Sequence, residues 1–255
     1  MDIPKVSVVI FLTDFYHLVN LTINSILKQT HNIYEIIIIT NTESKKDLVM
    51  LKPYYAKIYK METCFEKNRA FLMNKAISIA RGEYIHFLTS GDVYLSKFMM
   101  KYLDDIIIKN KTADLLSLAF LRRDDLEPPE AMCFSFEYFK RGKIPMHMQS
   151  MWFNTSTIKA LNNFNEKYLV KSDFDMVCKI FLKKDKKVIF SNRVLCDFEI
   201  KKRTSKIFLL KAYENLKIIY NNFGLKKTIY WWMIHDHFRM IRLFTRSLKS
   251  YFWGP

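Results

Sequence analysis

The chain has 255 residues, half of them hydrophobic, enough for one large α/β domain or two small ones. Only five glycines occur, and neither GxGxxG nor GxxxxGKS/T is present, which sets aside proteins built on glycine-rich phosphate loops. The net charge of +16 is uneven: residues 200–255 hold twelve Lys or Arg against Glu214 and Asp236, a net of +10. Such a tail points to an anionic partner, nucleic acid or an acidic membrane surface.

In chain order, Val6–Leu12 is predicted as a strand apolar on both faces. About His17–Gln29 has helical spacing, with Leu18, Leu21, Ile26 and Leu27 on one face. Glu35–Ile39 is a second buried strand, ending in the polar run Thr40–Ser44. A helix follows, then a short strand near Ala56–Met61, a helix over Asn68–Ala80 and a strand over Tyr84–Leu88. Lys97–Lys109 reads as helix and Asp114–Phe120 as strand. This alternation suits parallel βαβ crossovers. Beyond Arg122, residues Asp124–Glu130 read as a loop, Met146–Phe153 as a strand and Ser156–Leu161 as a short helix. Asp173–Lys183 is a helix, and Lys187–Asn192 and Leu195–Glu199 are short strands. From Ser205 the pattern is helical, with Gly224 as a C-cap dividing it. The organisation expected is one α/β domain over 1–204 and a basic amphipathic helical tail over 205–255.

Cys64, Cys133, Cys178 and Cys196 are scattered, without CxxC or Cys/His clusters, and read as buried thiols in a reducing compartment. Met1-Asp2-Ile3-Pro4-Lys5 shows no secretory signal, and no run of 18 or more uncharged apolar residues occurs. The expectation is a cytoplasmic protein, peripheral on the inner face of the cytoplasmic membrane.

Thr89-Ser90-Gly91-Asp92 closes the Tyr84–Leu88 strand. Small residues and a lone carboxylate at a strand's carboxyl end stand where open α/β proteins place ligand groups. Asp92 is either an oxygen ligand for a hard divalent cation that holds a diphosphate, or a turn residue that caps the next helix. Asp173, after Ser172, is either a reacting carboxylate or a first-turn charge favoured by the helix dipole.

Four segments in order resemble the family 2 glycosyltransferases, of bacterial surface-polysaccharide type, which share the GT-A fold. They are Val6-Ser7-Val8-Val9-Ile10 with Thr22–Thr30; Met73-Asn74-Lys75-Ala76-Ile77 with Ala80-Arg81-Gly82-Glu83-Tyr84-Ile85; Thr89–Asp92; and Phe164–Tyr168 with Ser172-Asp173-Phe174-Asp175. The resemblance covers roughly residues 4–200. It implies a Rossmann-like, mostly parallel sheet flanked by helices, with Mg²⁺ or Mn²⁺ at Asp92 and Asp173 as the base of an inverting transfer. It places the nucleotide sugar at Thr13, Asp14, Thr40, Arg69, Asn74, Ser90 and Gly91. Gln149, Trp152 and Asp175 would line the acceptor or sugar pocket, and Lys179 stands where the family often has Arg. The acceptor implied is a glycan or a lipid-linked one.

Two departures stand out. Thr40 occupies the place of an aspartate that contacts the nucleotide base, and Asn68, Arg69 and Phe71 replace acidic and glycine positions. They keep a second reading open, a degenerate GT-A protein that binds a glycan or partner. The third reading, a basic nucleic-acid binder, has no recognition motif behind it, and no nucleic acid is expected. In the tail, Ile229–Ile234 and Phe238–Phe244 mix aromatics with Arg at helical spacing, which suits a membrane interface or a helix packed on the domain.

Overall fold

The computed structural model describes residues 4–13, 16–44, 48–110, 113–124, 127–133, 147–199 and 205–233. They divide into two compact units, one of residues up to 199 and one of 205–233. Within the first, a nine-stranded sheet runs in the order β3-β2-β1-β4-β8-β6-β9-β5, with β7 paired to β6.

The half of the sheet formed by β1 (Val6–Leu12), β2 (Tyr34–Thr40), β3 (Lys60–Thr63) and β4 (Tyr84–Thr89) is parallel. β1 is buried along its whole length because helices cover both faces of a parallel sheet, which is why its sequence does not alternate. The crossovers are α1 (Val19–Leu27), a 3₁₀ helix at Val49–Lys57 and α2 (Arg69–Ile79). Pro53 lies inside the 3₁₀ segment, where the expected helix stood. In α1 the buried residues are Val19, Thr22, Ile23 and Ile26; Leu21, expected on the core face, is 56% exposed. The apolar stripe is rotated because Thr22 turns inward to serve the turn at Gly91.

The other half is mixed. It contains β5 (Val93–Tyr94), α3 (Met99–Lys109), β6 (Leu115–Asp124), β7 (Glu127–Met132), β8 (Met151–Asn154), α4 (Thr155–Ala160), α5 (Ser172–Leu182) and β9 (Val188–Glu199). β8 runs antiparallel between β4 and β6, while β6 and β9 are parallel. Two expectations change here. The loop assigned to 124–130 contains β7, a strand that among the described residues pairs with β6 alone; Pro128 and Pro129 fall where the β6 register shifts between Arg122 and Asp124 and neither has a register partner. The two short strands after 187 are one strand, β9, whose register against β6 shifts between Leu118 and Phe120. Met146 lies outside the described residues, and the segment after it opens with a 3₁₀ turn, Met148–Ser150, before β8. Cys178 and Cys196 are buried as expected, but Cys64 is half-buried and Cys133 exposed.

The second unit is α6 (Ser205–Trp231), kinked at Gly224 with φ 78°. A positive φ at glycine ends one helix and lets another start. Tyr213, Tyr220, Leu225, Ile229 and Tyr230 on α6 are exposed. Among the described residues no helix is long and apolar enough to cross a membrane. Phe238–Phe244 lies outside the described residues.

Candidate active site

The carboxyl ends of β1, β2 and β4 lie side by side, and β4 delivers the acidic turn there. The Asp92 N–H donates to the Thr89 carbonyl at 2.9 Å, and Asp92 Oδ2 accepts the Thr89 N–H at 2.6 Å. The four residues thus close on themselves. Gly91, at φ 101°, supplies the backbone conformation that other residues resist, and its N–H donates to Thr22 Oγ1 at 2.9 Å. The Ser90 N–H donates to the Phe11 carbonyl at 3.1 Å, which ties the turn to the end of β1. Asp92 therefore caps no helix: the next element is β5, and α3 starts only at Met99.

Asp92 is 8% exposed. Gln149 Nε2 donates to its Oδ2 at 3.1 Å, so two residues far apart in the chain meet at one carboxylate oxygen. The Thr89 amide and the Gln149 side chain, both neutral donors, fix the carboxylate's orientation. Among the described residues no three His, Cys, Asp or Glu gather into a metal-binding group. The donor set at this turn fits a hard ion that takes the rest of its shell from a substrate's phosphates and water, the usual habit of Mg²⁺.

Thr40 is fully buried, and its hydroxyl donates to the Leu12 carbonyl at 3.1 Å and accepts the Thr42 N–H at 3.3 Å. That occupies it within the fold. The polar side chain beside it at this edge is Asn41, whose Nδ2 donates to the Thr13 carbonyl at 3.4 Å while Tyr16 Oη donates to its Oδ1 at 2.5 Å. Asp14 lies outside the described residues. Arg69, at the start of α2, sits 5.9 Å from the centre of the Phe11 ring at the end of β1. Among the described residues it has no ion-pair partner.

Asn74, expected at the nucleotide sugar, is engaged within the fold. Its Nδ2 donates to the Phe164 carbonyl at 2.9 Å and to Glu166 Oε1 at 2.8 Å, and its Oδ1 accepts the Phe164 N–H at 2.9 Å. The whole amide is spent on clamping the segment that leads to α5. Asn68, the N-cap of α2, adds a 2.7 Å bond to the Glu166 carbonyl. Asp173 stands in the first turn of α5, half-buried, and its Oδ1 accepts the Phe174 N–H at 2.8 Å. Asp175 is buried and faces Lys179 Nζ at 2.8 Å, one helical turn on. Lys179 thus pairs with an acid on its own helix.

Trp152, expected to offer its face to a sugar, is fully buried and stacks on His86 with centroids 4.0 Å apart. His86 escaped the sequence reading, and Asn68 was read only as a departure at the start of a helix. The signal for His86 was present, a single polar residue inside an otherwise apolar strand; that for Asn68 was an N-cap residue ahead of a helical run.

Residues 7–153 match the family described as glycosyl transferase family 2, and the chain belongs to that family. It is a glycosyltransferase with the GT-A fold. It is similar to an uncharacterized glycosyltransferase of Methanocaldococcus jannaschii, 27% identical over 270 residues that cover 96% of this chain and 89% of the relative. Among solved structures it resembles S. aureus TarS 1–349 in complex with UDP, with a TM-score of 0.68 and 15% identity over 98% of this chain and 75% of that one. It also resembles a mannosyltransferase from Pyrobaculum calidifontis in complex with GDP-Man and Mn²⁺, with a TM-score of 0.66 and 11% identity over 100% and 77% of the two chains.

Proposed function

We propose that this enzyme transfers a sugar from a nucleotide sugar to a glycan or lipid-linked acceptor, with inversion at the anomeric carbon. The observation that carries this reading is the oriented Asp92 carboxylate at the parallel strands' carboxyl edge, held by Thr89 and Gln149. Donor complexes of the structural relatives, with UDP-GlcNAc in TarS and GDP-Man in the Pyrobaculum enzyme, support a nucleotide-sugar donor.

Asp92 would hold Mg²⁺ or Mn²⁺, and the ion would supply positive charge to neutralise a leaving diphosphate. Arg69 adds a fixed positive charge near the end of β1. Ser90, Gly91 and Thr13 shape the backbone edge against which the nucleotide lies, and Asn41 takes over the base-side polar contact that Thr40 has given to Leu12. Asp173 accepts the proton of the acceptor hydroxyl as its oxygen bonds to the anomeric carbon. The bond from that carbon to the diphosphate oxygen breaks, and the electron pair leaves with the nucleoside diphosphate. Gln149 acts on Asp92, Asp175 with Lys179 stiffens the first turns of α5, and Trp152 supports the site from within the core. The basic, aromatic α6 unit holds the enzyme to the anionic inner face of the cytoplasmic membrane, where surface-glycan acceptors are lipid-linked.

The test is a thermal-shift series with UDP-GlcNAc, GDP-Man, CMP- and dTDP-sugars, with and without Mn²⁺, on wild type and Asp92→Ala. Metal-dependent stabilisation by one donor, lost in Asp92→Ala, is the expected result. Folded wild type that responds to no donor overturns the reading.

A further inference from the structure

His86 occupies the middle of β4, fully buried, in a strand core otherwise made of Tyr84, Ile85, Phe87 and Leu88. Burying an imidazole has a cost unless its two nitrogens are used. Here both are used, and by different segments. Nε2 lies 3.0 Å from the backbone carbonyl of Gln149, and Nδ1 lies 2.7 Å from Tyr94 Oη. A carbonyl only accepts, so Nε2 carries the proton, and Nδ1 accepts from the Tyr94 hydroxyl. Burial pushes the His86 pKa down to about 3, against the opposing pull of the Gln149 carbonyl, so the ring stays in this neutral form. Trp152, directly opposite on β8, stacks on the ring and holds its plane.

The two segments that His86 ties together also meet at the acidic turn. Tyr94 is two residues beyond Asp92 on β5, and the side chain of Gln149 donates to Asp92 Oδ2. One imidazole therefore braces the turn's downstream end against the 3₁₀ turn that carries its amide donor.

We infer that His86 is a positioning residue for Asp92: by holding Tyr94 and the Gln149 carbonyl at once, it sets where the Gln149 amide meets the Asp92 carboxylate. This role rests on the proposed function, in which Asp92 serves the donor diphosphate. An apolar residue at 86 fills the space but leaves the Gln149 carbonyl and the Tyr94 hydroxyl without their buried partner, and the 3₁₀ turn loses its anchor. A plain core residue would affect stability alone. A brace that works through Gln149 affects nucleotide affinity, and only while Gln149 is present.

The experiment is calorimetric titration of UDP and of GDP, each with Mn²⁺, into wild type, His86→Phe, Gln149→Ala and the double variant, with melting curves for each. The expected result is that His86→Phe weakens the nucleotide that binds wild type by about tenfold. In the Gln149→Ala background the same change has no further effect. Tyr94→Phe, which deletes a single hydroxyl, keeps the test open should His86→Phe not fold; it also weakens binding, and again not in the Gln149→Ala background. Wild-type affinity in a folded His86→Phe or Tyr94→Phe variant, or losses that add to that of Gln149→Ala, overturns the positioning role and leaves the proposed function standing. Wild type that binds neither nucleotide overturns both.

Discussion

At the amino edge of the parallel strands, Glu35 takes three hydrogen bonds, from Ser7 Oγ at 2.6 Å, the Arg81 N–H at 2.8 Å and Arg81 Nε at 2.8 Å. The Arg81 guanidinium also lies 3.7 Å from the centre of the Tyr59 ring, and Ser7 Oγ accepts the Gly82 N–H at 2.8 Å. At the carboxyl edge, Asp92 is similarly buried, its Oδ2 accepts from the Thr89 N–H and the Gln149 amide, and Arg69 rests over Phe11. The first arrangement matches charge with charge and closes on itself. The second orients a carboxylate with a backbone amide and a side-chain amide. Buried polar clusters of similar depth are thus built from different donors, a guanidinium at one edge and neutral amides at the other, and in the proposed function only the second meets a ligand that brings its own charge.

The sharpest way to break that contrast is Asp92→Ala. Turnover, read as released nucleoside diphosphate, is expected to fall about 10³-fold, as for loss of a group that stabilises developing charge. Leaving the Thr89 N–H and the Gln149 amide without their acceptor should cost only about 1–3 kcal/mol; a larger loss would put Asp92 with the structural edge. Glu35→Ala is the mirror experiment. Leaving Ser7 and the Arg81 N–H without their acceptor should cost about 1–3 kcal/mol in denaturant unfolding, with nucleotide affinity unchanged in the folded protein.

Gly82→Ala extends the structural edge. A Cβ there would stand 2.5 Å from the Ser7 nitrogen and 2.7 Å from its hydroxyl, so β1 must shift, at about 1–3 kcal/mol. Asn74→Ala tests the middle ground, because its amide ties α2 to the segment before Asp173. Stability should fall by about 1–2 kcal/mol, together with a drop in turnover that donor saturation does not restore. An unchanged turnover would show that the clamp does not reach Asp173.

The smallest effect expected is on pH dependence. Burial alone would raise the Asp104 pKa, but hydrogen bonds from Lys5 and His31 hold it below the usual carboxylate value. A group depressed on folding stabilises above its unfolded pKa and loses that contribution as pH falls through the folded one. Asp104→Asn should therefore lower stability near neutrality and flatten the acid limb below about pH 4, where the unfolded carboxyl titrates. The amino edge would carry that pH response.

Much of this was open to reading along the chain. Continuous β-branched runs marked β1 and β2, and a capped periodic stretch marked α2, because strand and helix periods are local properties of sequence. The turn Thr89–Asp92 was legible for the same reason: small residues and a positive-φ glycine between strands are local chemistry. The family resemblance extended that reading to Asp92 and Asp173. What the chain alone did not disclose was which polar side chains are spent inside the fold. Thr40, Asn74 and Trp152 all sit where a ligand contact was expected, yet their partners are Leu12, Phe164 with Glu166, and His86, residues 28 to 92 positions away. Hydrogen-bond satisfaction is settled by what the tertiary fold brings within about 3 Å, and sequence periodicity carries no information about such distances. In the same way, His86 became a brace only when the sheet set Trp152 opposite it and brought Tyr94 and Gln149 to its two nitrogens.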